Sequence, residues 1–208
     1  MATTTTDTDT ELSAVNSILG AIGQSPITTL NYENPEVAFI YNILTEVNKD
    51  VQNEGWHFNT EYHKKYTPDG NKHITIGDNV LSFDKNEKWD NTEDVVVRTD
   101  LTDDQQKLYD LVEHTFEFDN DLYLDVVTLY PFKDLPNIFQ RYITYRAASR
   151  AAVQLVGNPN LLKMLQQQEQ MSRAACMEYE CNTGDPNFMG WPHETSYKSY
   201  QPYQVLQR

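Results

Sequence analysis

The sequence predicts an α+β chain: a helical bundle built from an N-terminal and a C-terminal helix pair, an inserted antiparallel β domain, and an extended C-terminal arm. Three observations carry this expectation. Apolar residues recur at three- and four-residue steps before residue 55 and again after residue 131, the period of helices that bury one face. Between those stretches the helical period fades into short β-branched and aromatic runs divided by turn residues. From residue 184 to 208 no helical or strand period remains, and five of these twenty-five residues are aromatic.

The elements follow in order. Residues 1–10 form a Thr/Asp-rich flexible start, with Asp9 or Thr10 placed to cap a helix. Leu12, Val15, Leu19 and Ile22 make the first apolar stripe, which Ser25-Pro26 stops. Asn34 before Pro35 sets a capping side chain ahead of a proline at the first helical position. Val37, Tyr41, Leu44, Val47 and Val51 then mark a second helix ending near Gly55, so that residues 11–55 form the first part of the helical domain. Residues 56–130 are the β-rich insertion. Strands are expected at 73–76, 80–83, 95–98 and 122–130, with Gly77-Asp78-Asn79 as a hairpin loop between the first two. Asp134 is expected to cap a third helix whose stripe is Leu135, Ile138, Tyr142, Tyr145, Ala152 and Val156. A fourth runs from about 160 to 183, with Leu161, Leu165, Met171, Ala174 and Ala175 on its apolar face. Residues 131–183 thereby complete the helical domain, and 184–208 form the extended aromatic arm. Trp56 and Phe58 are expected to be core residues where the second helix enters the sheet.

Composition narrows the function classes. The formal charge is −15, from sixteen Lys and Arg against thirty-one Asp and Glu. Tight general binding to nucleic acid needs a cation for each neutralised phosphate, so that class is excluded, as is an anionic membrane surface. The longest unbroken apolar run is Val37 to Tyr41, far below the ~20 residues of a membrane span. No basic segment followed by an apolar stretch opens the chain, so a secretory leader is not expected. Cys176 and Cys181 are expected to be buried free thiols in a reducing cytoplasm.

The search for chemistry yields little. No phosphate-binding glycine loop, nucleophile elbow or His-Glu-x-x-His is present, and the five histidines lack ligand spacing. Asp119, Asp121 and Asp125 begin like a calcium loop but lack its turn glycine and final Glu. No catalytic residue, metal or cofactor is expected. Charge is unevenly divided: segment 84–125 holds fourteen acids and four bases, while 133–156 holds four bases and one acid. Arg146 and Arg150 share a helix face, and Arg141 lies about 140° away. The pair is expected to meet acidic groups, within the chain or across a subunit boundary. Phe188, Trp191, Tyr197, Tyr200 and Tyr203 suit an arm that orders on a neighbouring subunit.

Four stretches carry a family likeness: 11–30 (ELSAVNSILGAIGQSPITTL), 55–59 (GWHFN), 136–150 (PNIFQRYITYRAASR) and 171–180 (MSRAACMEYE). Together they resemble the tail tubular protein A, or head-to-tail adaptor, family of short-tailed podovirus-type bacteriophages. The resemblance implies a structural virion protein made in the host cytoplasm. It implies a ring of twelve copies between the portal and the nozzle formed by tail tubular protein B. It further implies a seat for tail fibres and a lumen through which DNA passes unbound. Two other classes remain open on the residues: an acidic monomeric module for a basic partner, and a hydrolase using carboxylates and a metal.

Overall fold

The computed structural model describes residues 10–85, 94–101 and 104–184. Their elements, in chain order, are α1 (Glu11–Ala21), α2 (Pro35–Gln52), β1 (Thr60–Tyr66), β2 (Val80–Lys85), β3 (Val95–Asp100), β4 (Gln105–Asp110), β5 (Leu122–Thr128), a 3-10 turn (Phe132–Asp134), α3 (Asn137–Leu155) and α4 (Pro159–Gly184). The fold class is therefore α+β.

The helix starts follow the sequence chemistry. Thr10 accepts the Ser13 amide through its hydroxyl, and Asn34 accepts the Glu36 amide through its side-chain oxygen. Each satisfies one of the amides that a helix start leaves without an internal partner. Pro35 opens α2 with its ring angle already helical. Gly55, at φ +73°, turns the chain out of α2 in a conformation that a β-carbon would strain.

Four helices share one apolar core. Val15 and Ile18 of α1, Ile40, Val47 and Val51 of α2, and Phe139, Ile143 and Ala147 of α3 are its most buried members. Leu165 and Cys176 are the buried contribution of α4. The third helix is not buried on a single stripe as expected. Phe139, Gln140, Tyr142, Ile143, Ala147, Ala148, Ala151 and Ala152 are all enclosed, because α1, α2 and α4 pack around it. Its alanines let three neighbours approach closely. Val156, by contrast, is exposed. Asp134 does not cap this helix: it belongs to the 3-10 turn, and Pro136 occupies the cap position.

A second core lies in the β region, formed by Ile74, Ile76, Val95, Leu108, Phe118, Leu122, Leu124 and Val126. Its three-stranded antiparallel sheet has the order β1-β5-β2, and β3 and β4 form a separate antiparallel pair. The hairpin expected across Gly77-Asp78-Asn79 is absent. Segment 73–76 is instead attached to β4: Ile76 donates to the Gln106 carbonyl, and Leu108 donates to the Ile74 carbonyl. β2 pairs with β5, far along the chain, as in Phe83 opposite Val126. Register shifts interrupt β1 between Glu61 and Lys64, where His63 sits at φ +55°, and β2 between Val80 and Ser82. Within β4, Lys107 is buried and paired to Asp100 at 2.8 Å.

The two cores meet at a polar knot. Gln52, fully buried at the end of α2, donates from Nε2 to the Tyr130 carbonyl at 2.9 Å. Its Oε1 accepts the Tyr130 amide at 2.8 Å, so the side chain mimics a strand neighbour. Asn48 accepts a further bond from the Gln52 Nε2. Asn59 accepts the Trp56 amide and donates to the Gln52 carbonyl. The Trp56 ring nitrogen donates to the Val51 carbonyl at 2.7 Å. The side chains of Gln52, Asn59 and Trp56 drawn inside here thus have partners, which burial requires.

Replacing Gln52 by Leu would leave the amide and carbonyl of Tyr130 unpaired. A loss of about 2–3 kcal/mol is expected, the cost of orphaning enclosed polar groups. Urea unfolding of Gln52→Leu against the parent chain measures it; Asn59→Leu should behave similarly.

Candidate assembly surfaces

Trp56 and Phe58 lie where the sequence places them. Trp56 is buried, and its ring meets Phe139 edge-on at 4.9 Å between centroids. Phe58 approaches the same ring at 4.6 Å, and Tyr179 of α4 approaches it at 5.9 Å. Phe139 is thus the hub of an aromatic cluster joining the sheet entrance to α3 and α4. Close by, the His57 amide donates to Glu180 Oε1 at 2.7 Å, tying the same loop to the end of α4.

Arg146 and Arg150 both face α2 within the chain. Arg146 donates to Glu54 at 3.1 Å and to the Tyr142 hydroxyl at 3.0 Å. Arg150 meets Asp50 at 2.6 Å. Helical spacing puts the two arginines one turn apart, and Asp50 and Glu54 are also one turn apart, so the two rows match. The pairing within the chain is therefore the one formed here. Among its described residues the acidic segment 84–125 supplies neither partner.

Arg173, on α4, completes this arrangement and was not singled out by the sequence reading. It donates to Glu54 at 3.0 Å and to the Tyr142 hydroxyl at 2.9 Å. Glu54 and the buried Tyr142 hydroxyl thus each serve two guanidinium groups. Burial would lower the Arg146 pKa, but Tyr142 and Glu54 outweigh it and hold the charge more firmly than usual. Spacing alone could not have revealed this site, since its members lie on α3, on α4 and in the turn that follows α2. The only hint was the placement of Arg173 inside one of the four family-like stretches.

The acids that began like a calcium loop are otherwise engaged. Asp119 pairs with Lys72, Asp121 with Lys65, and Asp125 accepts the His63 amide. Among the described residues no group of three or more His, Cys, Asp and Glu converges to hold a metal ion. A cavity of about 240 Å³ lies beside α2, lined by Glu11, Tyr41, Lys49, Tyr130 and Phe132 among others. Its Tyr41 hydroxyl reaches Glu11 at 3.2 Å, and burial together with that carboxylate pushes its pKa up to about 12. A phenol so held is a hydrogen-bond donor at neutral pH and a poor base.

The two cysteines separate. Cys176 is buried as expected, but Cys181 is exposed, because the five-residue step turns it to the outer side of α4. Met171 also departs from expectation. Although it was placed on the apolar face, it is 63% exposed. It lies about 120° around the helix from Leu165, too far to share the buried side. The arm residues Phe188, Trp191, Tyr197, Tyr200 and Tyr203 lie outside the described residues.

A closely tied helical core, a sheet attached to it by a polar knot and salt-linked helix faces give the chain an α+β framework held at many points. Residues 12–186 match the model of the tail tubular protein family, so the chain belongs to that family. It is also 26% identical, over 170 residues, to "Tail tubular protein A" of Klebsiella phage KP34, covering 81% of this chain and 86% of that protein. The protein is accordingly a structural component of a phage virion tail and not an enzyme. It assembles with other tail components. Among the described residues no helix is long and apolar enough to cross a membrane.

Arg146→Ala should cost about 1–2 kcal/mol, because it leaves the half-buried Glu54 and Tyr142 with one partner fewer. Arg150→Ala should cost under about 1 kcal/mol, as exposed ion pairs do. Thermal unfolding of both variants, with Glu54→Gln closing a double-mutant cycle, tests the ranking. A separate expectation concerns the thiols. Burial, then Glu54, raises the Cys176 pKa to about 12 from 9.0, with Arg173 opposing. Its folded pKa exceeds its unfolded one, so its contribution to stability is present below pH 9 and is lost as the pH climbs toward 12. Iodoacetamide at neutral pH should label Cys181 promptly and Cys176 only on unfolding, as mass spectrometry would read.

Proposed function

We propose that this chain is the ring-forming adaptor between portal and tail nozzle. In this reading twelve copies surround the path of the DNA, the nozzle is tail tubular protein B, and tail fibres seat at the seam. The observation that carries the reading, beyond family membership, is the division of charge. The acidic surplus is concentrated in the β-rich middle, segment 84–125, while the stretch 133–156 is basic. A lumen for DNA works best with acidic or neutral walls, since fixed cations would hold phosphates and slow transit. Acids of the middle segment would line that wall. DNA is then cargo rather than ligand.

A ring also needs head-to-tail contacts between unlike patches. Two elements are proposed for them. Arg150 keeps more than a third of its side chain in water although paired with Asp50, so it can reach an acidic group of a neighbour as well. Arg146 is more enclosed and contributes through the rigidity of the helix face. The aromatic arm bearing Phe188, Trp191, Tyr197, Tyr200 and Tyr203 would clasp an adjacent subunit or the portal. The insertion 56–130 and the helical parts 11–55 and 131–183 would act as separate regions of the ring, one toward the DNA path and one toward the subunit seam.

Electron-microscopy class averages of the purified chain, alone and with portal, test the reading. Closed rings in either sample are expected. Their absence from both would overturn the adaptor role. A chain truncated after Gly184 should remain folded by circular dichroism yet assemble poorly; normal assembly of the truncation would remove the arm from the account.

A further inference from the structure

The outer side of α4 is unusual for a chain of this charge. Met164 and Met171 are one heptad apart, so they lie within about 20° of each other around the helix and about 10.5 Å apart along it. They are 66% and 63% exposed. Gln167 and Ala174, also exposed, fall between and beside them. Between Met164 and Ala174 this stripe carries no charge, since Glu169 and Arg173 lie on other sides of the helix, while Lys163 borders it beside Gln167. Among the described residues nothing covers it. Soluble surfaces of strongly charged proteins do not usually present two bare methionines in line, and thioethers are well suited to hold aromatic rings.

We propose that this stripe receives the aromatic C-terminal segment, 185–208, of a neighbouring copy. The inference rests on the ring reading above and names the surface that reading left open. Three features of the chain favour this occupant. First, charge: copies that each carry −15 repel, and the segment 184–208 has two acids and two bases, so a neutral strand meets a neutral stripe. Second, spacing: Tyr197, Tyr200 and Tyr203 repeat every third residue. In an extended left-handed chain with three residues per turn they would fall on one side at steps of about 9.3 Å, close to the methionine interval. Pro192 and Pro202 favour that conformation. Third, reach: the segment can span about 80 Å when extended. The helix it leaves, of 26 residues, is only about 39 Å long. That reach is about twice what a return along its own helix requires. Donor and acceptor sit on one helix, since the segment departs from Gly184, so every copy gives one arm and takes one. Passed from each copy to the next, such a contact is head-to-tail, the kind that forms a ring when its rotation closes.

The test uses the full chain with the photo-reactive residue p-benzoylphenylalanine placed at Met171. Equal amounts of nitrogen-15-labelled and unlabelled chain are mixed, irradiated across a concentration series, and digested. Sedimentation of the same samples gives the extent of association. The expected result is cross-links from position 171 to residues 185–208, with heavy and light partners joined in the proportion that random mixing gives. In parallel, Met164→Glu combined with Met171→Glu should raise the dissociation constant for association by roughly tenfold or more. The midpoint of thermal unfolding should stay the same, because both side chains are already in water. Links between residues of the same isotope only would mean that each arm folds onto its own helix, and would overturn the exchange. Links solely to another helix or to the β region, or no links at all up to concentrations where the parent chain has been driven as far as it will associate, would overturn the docking itself. Rings seen by microscopy without these links would leave the adaptor reading standing and remove only this inference.

Discussion

The arrangement depends on one buried side chain, Gln52. The chain leaving β5 brings the amide and the carbonyl of Tyr130 to it, and the Gln52 side chain serves both because it carries donor and acceptor on one planar group. The helix-end carbonyls of Val51 and Gln52 are met by Trp56 and Asn59. Asn48 and Asn59 complete the set, one on each side. The apolar residues around them, Val51, Trp56 and Phe132 among others, could be exchanged for similar ones with modest loss. The amide pairing could not, because it fixes where the sheet stands relative to the helices rather than how much surface is buried.

Around this knot the chain divides its tasks. The helical core is large and closely packed, with α3 enclosed by three neighbours and its position further set by the double use of Glu54 and Tyr142 by Arg146 and Arg173. The β core is smaller and holds a buried ion pair, Lys107 with Asp100. Most of the acidic excess lies in that second region, where several carboxylates are already committed to lysines or backbone amides. Repulsion among the remaining acids opposes compaction there. A large, closely packed helical part thus carries a smaller and more acidic one.

The helices were legible because their signals are local. Asn34-Pro35, the stripe of α2 and the cap at Thr10 each act within one or two turns. Strands β2, β3 and β5 showed themselves by β-branched runs. β1, reading TEYHKKY, and β4, reading QQKLYD, did not, because polar residues become strand there only through partners elsewhere. For the same reason the segment at 73–76 looked like half of a hairpin, whereas its partner is β4. The aromatic role of Trp56 and Phe58 followed from their place after a helix end. Gln52, Glu54 and Arg173 were hidden for want of any local sign, since a buried amide and a surface amide look alike in a sequence. The outward turn of Met171 and Cys181 was a matter of phase, since at about 100° per residue neither shares the side of the buried Leu165 or Cys176.

The irregularities in β1 and β2 have a bearing on how the protein survives its own abundance. These two strands are the margins of the three-stranded sheet, and each is broken in register, one of them at a residue with a left-handed backbone. A bent margin cannot zip to another strand over its full length, so sheet cannot be added to sheet without limit. Structural proteins of a virion are made in many copies in a crowded cell, and stray polymerisation would consume them before assembly. By spoiling the margins, the chain denies itself the easiest mode of growth. What remains is association through side chains, whose fixed angles can bring a finite number of copies to a stop.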